Sequence, residues 1–356
     1  MRLMATVPST IDYIAADGTV REDRLAGRKL LNSGQGGSRV ERLYLLSGER
    51  VVWKATTDTS QAAREAGVYE RVLPVLSAAS GLLYPQLIAH GLADAGAEPS
   101  AETQRAWLVY EDVGELNHTV SEQALLELIG QMARWHALPT GDLALGPERG
   151  QLPDYVEQAA DLLTELGWSW RGSAVPAERG KDAGASDEPL VFGVAESLVL
   201  RVVEAMKQEP PVIVYALCHG DLHAGNFGLV DGDANNSAST GRLRVVGWGH
   251  VHRNSPYWDL YHAIDMAHPL FPRYVGDAEQ ERLLTAYWEQ AAEGLVPKKR
   301  ESFLREYSLF SAVCSLWMLR QIEQELAAAS GSWTKEQLLG QRDETRAAFR
   351  RCAGRV

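Results

Sequence analysis

Cysteine is scarce in this 356-residue chain: Cys218, Cys314 and Cys352 are the whole set, odd in number and far apart. That pattern excludes a disulfide framework and a paired-cysteine zinc site, and the expected compartment is the reducing cytoplasm. Long apolar runs are missing too. Nowhere do eighteen apolar residues follow one another, and the opening MRLMATVPSTIDYIAADG lacks an apolar core of signal-peptide length. Neither secretion nor membrane spanning is expected. Positive charge is in deficit, with 35 Lys+Arg against 47 Asp+Glu and a formal charge of −12. Such a chain has no global field to draw it to nucleic acid or an anionic membrane, so any phosphate it binds must be held by local groups. The 45% hydrophobic and 23% charged fractions are globular values. They exclude disorder, collagen and coiled coil, and suit one large domain or two lobes.

Strand patterning comes first along the chain. Residues 28–54 read as two strands around a glycine-rich turn, with alternating β-rich stretches at Val40–Leu46 and Arg50–Lys54 and a turn at Ser47-Gly48. Apolar residues at helical spacing then predict a helix over about 60–72 that Pro74 interrupts. A short apolar strand, Trp107–Tyr110, leads into the polar Glu111-Asp112-Val113-Gly114, taken as a hinge. Beyond it helical patterns dominate: 121–136 with Ser121 as cap, and the candidates Glu279–Glu293, Glu301–Ala329 and Thr334–Cys352. Residues 172–189 and 232–240 are small, polar stretches that read as surface loops, and no fixed-period repeat occurs.

The most informative stretch is Cys218-His219-Gly220-Asp221-Leu222-His223-Ala224-Gly225-Asn226, which follows the apolar run Val212–Leu217. A rigid polar loop delivered by a regular element is a common way to fix a general base beside a metal ligand. For an isolated His-x-Asp the plainer reading, that these residues cap turns, would be the better one. A metal hydrolase built on His219 and Asp221 lacks a third ligand at suitable spacing.

HGDLHAGN resembles the catalytic loop of the aminoglycoside phosphotransferase and choline kinase-like family, relatives of the protein kinases. The resemblance implies an α+β, two-lobed protein-kinase-like fold: an N-lobe of antiparallel sheet plus helix over residues 1–112, and a larger, mainly helical C-lobe over 113–356. It implies Asp221 as the catalytic base, Asn226 as a metal ligand and His219 as a structural residue of the loop. His223 receives no role. Lys54 resembles the family lysine on the nucleotide's α- and β-phosphates, and Glu65 the carboxylate that holds it, with Glu70 the weaker candidate. Gly34, Gly36, Gly37 and Ser38 resemble the loop that covers the phosphates, although no Walker pattern follows them. Glu111 and Val113 belong to the segment whose backbone meets adenine. His136 resembles a scaffold histidine beside the loop. The implied activity is transfer of the ATP γ-phosphate to a hydroxyl of a small-molecule acceptor, an aminoglycoside, amino alcohol or sugar, with Mg²⁺ as cofactor.

One departure stands out. Where the family places Ile-Asp-Trp, whose Asp chelates Mg²⁺, this chain reads Val246-Gly247-Trp248, with the second Asp-Leu at Asp259-Leu260. Gly247 has no anionic oxygen to offer. The alternative expectation is therefore a catalytically impaired, ligand-binding or regulatory relative, unless another acid such as Asp231, Asp233 or Asp259 substitutes. His250 and His252 read as surface or hydrogen-bonded histidines rather than zinc ligands. For a cationic acceptor, Asp265 with nearby aromatics (Trp258, Tyr261, Trp288, Trp317) is the candidate pocket, against the plainer reading that these rings are core.

Overall fold

The computed structural model describes residues 11–15, 18–33, 38–92, 106–119, 121–139, 190–212, 214–230, 242–328 and 333–356. The loops expected at 172–189 and 232–240, the glycines Gly34, Gly36 and Gly37, and Asp231 and Asp233 lie outside these described residues. Two compact units emerge. Described residues up to Leu116 and those of Val230–Gly249 make the first; those of Asn117–Gly141, Pro147–Leu229 and His250–Val356 make the second.

The first unit is built on a five-stranded sheet of β1 (Leu25–Ser33), β2 (Arg39–Leu45), β3 (Arg50–Thr56), β4 (Leu87–Leu92) and β5 (Ala106–Glu111). The order is β1-β2-β3-β5-β4 and every pairing is antiparallel. Period-two alternation sends Leu43, Leu45, Val51, Trp53, Trp107 and Val109 to one face, where they form a core with Ile14 and Val20. The β2–β3 turn falls at the expected Ser47-Gly48, because Gly48 adopts φ +90°. Gly91 on β4 has a different reason to be glycine: an added Cβ would lie 2.6 Å from the Trp107 ring.

The helix expected to stop before Pro74 does not stop there. α1 (Thr59–Gly67), capped by the Asp58 carboxylate on Gln61 N, opens into one π turn at Val68–Val72 and continues as α2 (Leu73–Ser80). Pro74 occupies the first turn of α2, where its missing N–H breaks no intrahelical bond.

In the second unit α3 (Glu122–His136) begins at Ser121, whose hydroxyl accepts from Ala124 N as a cap should. A two-residue hairpin of β6 (Leu190–Val191) and β7 (Val194–Ala195) precedes α4 (Glu196–Gln208), which the apolar spacing did not flag. β8 (Ala216–Cys218) pairs antiparallel with β11 (His252–Asn254), bracketing β9 (Phe227–Val230) and the first unit's β10 (Arg242–Val245) in the chain. Then follow α5 (Pro256–Ile264), α6 (Asp277–Gln290), α7 (Arg300–Ala327) and α8 (Lys335–Ala353). In α7 ten consecutive residues, Tyr307 to Leu316, are buried, so the middle of this helix is covered on all sides. The three cysteines are free thiols and all buried.

Asp265 proves to be an interior residue, not an acceptor-binding carboxylate. It accepts from Gln280 Nε2 (2.7 Å), Tyr307 Oη (2.5 Å), Ser311 Oγ (3.0 Å) and Arg351 (2.5 Å), tying the end of α5 to α6, α7 and α8. Both charges of the Asp265–Arg351 pair are almost fully enclosed. Asp265→Ala is expected to cost about 3–5 kcal/mol, because it strands the buried guanidinium. A urea titration reads this as a lowered midpoint.

Candidate active site

Each unit carries its own cluster of chemistry-bearing groups. In the first, Lys54 projects from the β3 face opposite the core residue Trp53, and its Nζ lies 2.6 Å from Glu65 Oε2. Glu65 is only 3% exposed; its other oxygen accepts from Tyr110 Oη at 2.6 Å. Both of its oxygens are thus occupied. Burial, reinforced by the charge of Glu65, raises the Tyr110 phenol well above its ordinary range, so it stays a donor. Glu70 takes no part: it lies near the surface and meets His90 Nε2 at 3.0 Å.

Trp248 and Gly249 rest against the same helix. Gln61 Nε2 donates to the Gly249 carbonyl (2.9 Å), and an added Cβ on Gly249 would lie 2.8 Å from Glu65 Oε2. Trp248 is buried with its Nε1 on Val245 O (3.1 Å). Gly247, just before it, adopts φ +78°. Of the phosphate-loop candidates, Ser38 directly precedes β2, and Ser33 pairs with Arg39 across the β1–β2 hairpin.

Two side chains on the Lys54 face were not singled out from the sequence. Val40 pairs with Lys54, and Val52 with Tyr110, so both lie on that face, and both are only half-buried. Their position two residues from Lys54, or directly opposite it, is the signal that could have found them. At the end of β5, Glu111 donates its N–H to Gln86 O (2.8 Å), and its carboxylate accepts from Gln86 N (3.2 Å). Val113 N–H has no hydrogen-bond partner among the described residues.

In the second unit β8 delivers the loop. Asp259, fully buried on α5, accepts from His219 N (2.7 Å), Gly220 N (3.0 Å) and His136 Nε2 (3.2 Å). Burial by itself would raise this carboxyl; the hydrogen bond and charge of His136, the charge of His219 and the Gly220 N–H overcome it and hold the group at about 2. Gly220 adopts φ +89°, and a Cβ there would lie 2.1 Å from the His250 carbonyl, so only glycine fits. Trp258 Nε1 fixes the Gly220 carbonyl at 2.8 Å.

Past this brace, the loop turns its polar groups on one another. Asp221 N donates to His219 Nδ1 (3.2 Å), and Asn226 Nδ2 donates to Asp221 O (2.7 Å) and Oδ2 (3.2 Å). His223 Nε2 lies 3.6 Å from Asp221 Oδ2, and its ring stacks on His268 at 4.3 Å. Burial first, then the neighbouring histidines, lowers His223 to about 4 against the pull of Asp221, so the ring is neutral at pH 7. The Asp221 carboxylate remains partly open, with 27% of its side chain exposed. His136, Cys218 and Asp259 are close enough to suggest a metal centre. Their atoms are already spent: Cys218 Sγ donates to Asn254 O and Ser255 O, and Asp259 is saturated as described. His252 is likewise taken up by His250 O and Asn254.

The sequence model of the phosphotransferase enzyme family matches residues 28–295, the larger part of the chain and both clusters. The chain belongs to that family. Among solved structures, a spectinomycin phosphotransferase in complex with ADP and spectinomycin has 12% identity and a TM-score of 0.54, with 93% of this chain and 94% of the other covered. An ethanolamine kinase from Plasmodium vivax has 13% identity and a TM-score of 0.52, covering 94% and 84%. A macrolide 2'-phosphotransferase from Brachybacterium faecium has 15% identity and a TM-score of 0.50, covering 91% and 93%. No curated protein sequence matches the chain. At these identities the likeness establishes the fold: a protein-kinase-like α+β architecture, with an antiparallel sheet in the N-terminal unit and a helical C-terminal unit.

For a family phosphotransferase, the implied Mg²⁺ can be tested against the residues present. The ion takes near-octahedral oxygen ligands and relies on carboxylates for charge. Gly247 supplies none, and both Glu65 oxygens are held by Lys54 and Tyr110. Asn226 spends its Nδ2 on Asp221, leaving one neutral oxygen to offer. With Asp221 the partly open carboxylate of the two clusters, the described donors fall short of a firmly held Mg²⁺. No helix among the described residues is long and apolar enough to cross a membrane.

Proposed function

We propose that this phosphotransferase is a small-molecule kinase, taking ATP in its first unit and using Asp221 as general base toward an acceptor hydroxyl in its second. The observation that carries this reading is the Asp221 loop. A partly open carboxylate stands on a backbone fixed at both ends, by Asp259 on one side and Asn226 on the other. A base so held stays within reach of a hydroxyl proton without having to be ordered during the reaction. His219 serves the loop as a buried hydrogen-bond acceptor. In the first unit Lys54, kept extended by Glu65, supplies the positive charge that the net −12 of the chain withholds elsewhere. Gly34, Gly36, Gly37 and Ser38 contribute backbone N–H groups to the phosphates, Val40 and Val52 an apolar face for the base ring, and Val113 N–H an edge contact. Acceptors of the kind named for the relatives, amino sugars, macrolides and amino alcohols, are the classes to screen.

Gly247 favours a second reading: a nucleotide-binding relative with little turnover, in which ATP is held without tight Mg²⁺. Calorimetric ATP titrations with and without Mg²⁺ separate the two. An active kinase binds ATP more tightly with the ion and releases ADP once an acceptor is supplied; the second reading gives metal-independent binding and no ADP. Under either reading Lys54→Met is expected to weaken ATP about 10- to 100-fold, the worth of a hydrogen bond to a charged group. Unchanged affinity in a folded Lys54→Met would remove the first unit from consideration as the nucleotide site.

A further inference from the structure

Arg42 is an unusual residue to find on the Lys54 face of the sheet. β2 alternation puts Val40, Arg42 and Tyr44 on that face, and Arg42 pairs with Val52 of β3. Its side chain is only 4% exposed, and its Nε and Nη2 both reach the Asp112 carboxylate, at 2.8 and 2.9 Å; that carboxylate is 1% exposed. Arg50 adds a longer contact to Asp112 at 3.5 Å, and Arg42 Nη1 reaches Glu115 at 3.4 Å. Asp112 Oδ1 in turn accepts from Gly114 N at 3.0 Å, a side-chain turn that spans Val113. Gly114 adopts φ +96°. The three residues after β5 are therefore not a free linker: their turn is built around one carboxylate, and that carboxylate is anchored to the middle of β2.

The consequence falls on Val113. Its N–H is without a partner among the described residues, and its direction is set by the Asp112–Gly114 turn. A lone backbone donor presented in fixed register favours a ring nitrogen that accepts over one that carries hydrogen. Adenine N1 accepts; guanine N1 donates, and its neighbouring O6 is displaced from that position. We infer that Arg42 is a positioning residue that sets nucleobase choice: by clamping Asp112 it holds Val113 N–H in the register that selects adenine over guanine nucleotides. One charge-assisted hydrogen bond from Nη2 to Oδ1, with a second ionic contact between Nε and Oδ2, suits this task, since two points of approach fix orientation as well as distance.

This inference rests on the first unit being the nucleotide site, and the test keeps the two apart. ATP and GTP affinities are measured by calorimetry on the full chain for wild type, Arg42→Met, Arg42→Lys and Asp112→Asn, with thermal midpoints alongside. Wild type is expected to prefer ATP. Arg42→Met should cut the ATP:GTP affinity ratio about five- to tenfold, the worth of one misdirected hydrogen bond. Arg42→Lys, which keeps the charge and loses the fork, should lie between the two. A merely structural role lowers the midpoint and weakens both nucleotides alike, so an unchanged ratio in folded variants overturns the inference. If Arg42→Met does not fold, Asp112→Asn, which keeps an oxygen for Gly114 N–H but loses the ion pair, gives the same reading of the ratio. Failure of wild type to bind either nucleotide refutes the nucleotide site itself, and this inference with it.

Discussion

Gly247→Asp is expected to raise phosphoryl transfer by about 100-fold or more and to make ATP binding strongly Mg²⁺-dependent, since even the loss of a supporting residue around a metal typically costs 10- to 100-fold. Gly247 stands at φ +78°, a left-handed geometry that aspartate tolerates better than most residues, at a cost of roughly 1–2 kcal/mol. The neighbouring segment is held independently, by the Gln61 bond to the Gly249 carbonyl and by buried Trp248, so the new carboxylate enters a fixed frame. Gly247→Ala bears the same backbone cost without a ligand and is the matched control. Product formation across a Mg²⁺ titration checks the prediction: a gain in Asp absent from Ala supports a vacated ligand position. Equal rates in wild type, Ala and Asp would show that this position no longer bears on the chemistry.

Asp259→Ala is expected to cost about 3–5 kcal/mol of stability, because it leaves His219 N–H, Gly220 N–H and His136 in the interior without their acceptor. Activity should vanish with it, since the Asp221 loop loses one of its two anchors. The wild-type pH dependence gives an independent check. Asp259 is held at about 2 in the folded protein, against about 3.9 for an unfolded aspartate. A depressed carboxyl stabilises the fold above its unfolded value, and that contribution, on the order of 2 kcal/mol, disappears as pH falls from about 5 through about 2. Denaturant midpoints between pH 7 and 2.5 should show this acid-side loss in wild type. In a foldable Asp259→Asn it should be smaller by that amount.

What could be read from the sequence follows a physical division. The Asp221 loop is eight contiguous residues, so its identity and its internal hydrogen bonds are local facts. Lys54 and Glu65 could be placed because they sit on adjacent elements in order. Asp265 could not, because its partners come from Gln280, Tyr307, Ser311 and Arg351, and nothing near residue 265 announces that an aspartate will be enclosed. Glu65's second partner, Tyr110, is hidden for the same reason: the sheet order brings β5 beside β3. β4 escaped notice because LIAHGL interrupts its apolar alternation with Gly91, a glycine required by the Trp107 ring. Pro74 misled in the opposite direction. A proline normally ends a helical reading, and the π turn that lets the chain restart around it leaves no mark in the apolar spacing.

The three enclosed cysteines give the molecule a set of internal clocks. Cys218 sits on the strand that delivers the Asp221 loop, Cys314 in the middle of α7 and Cys352 near the end of α8. Burial raises every one of these thiols above its ordinary range, so none reacts while its surroundings stay shut. Each alkylation event then marks an opening of one identified region, and mass-resolved labelling rates rank β8, α7 and α8 by how often each exposes its interior. Because no other cysteine exists in the chain, that ranking is available in the native sequence, without engineered probes.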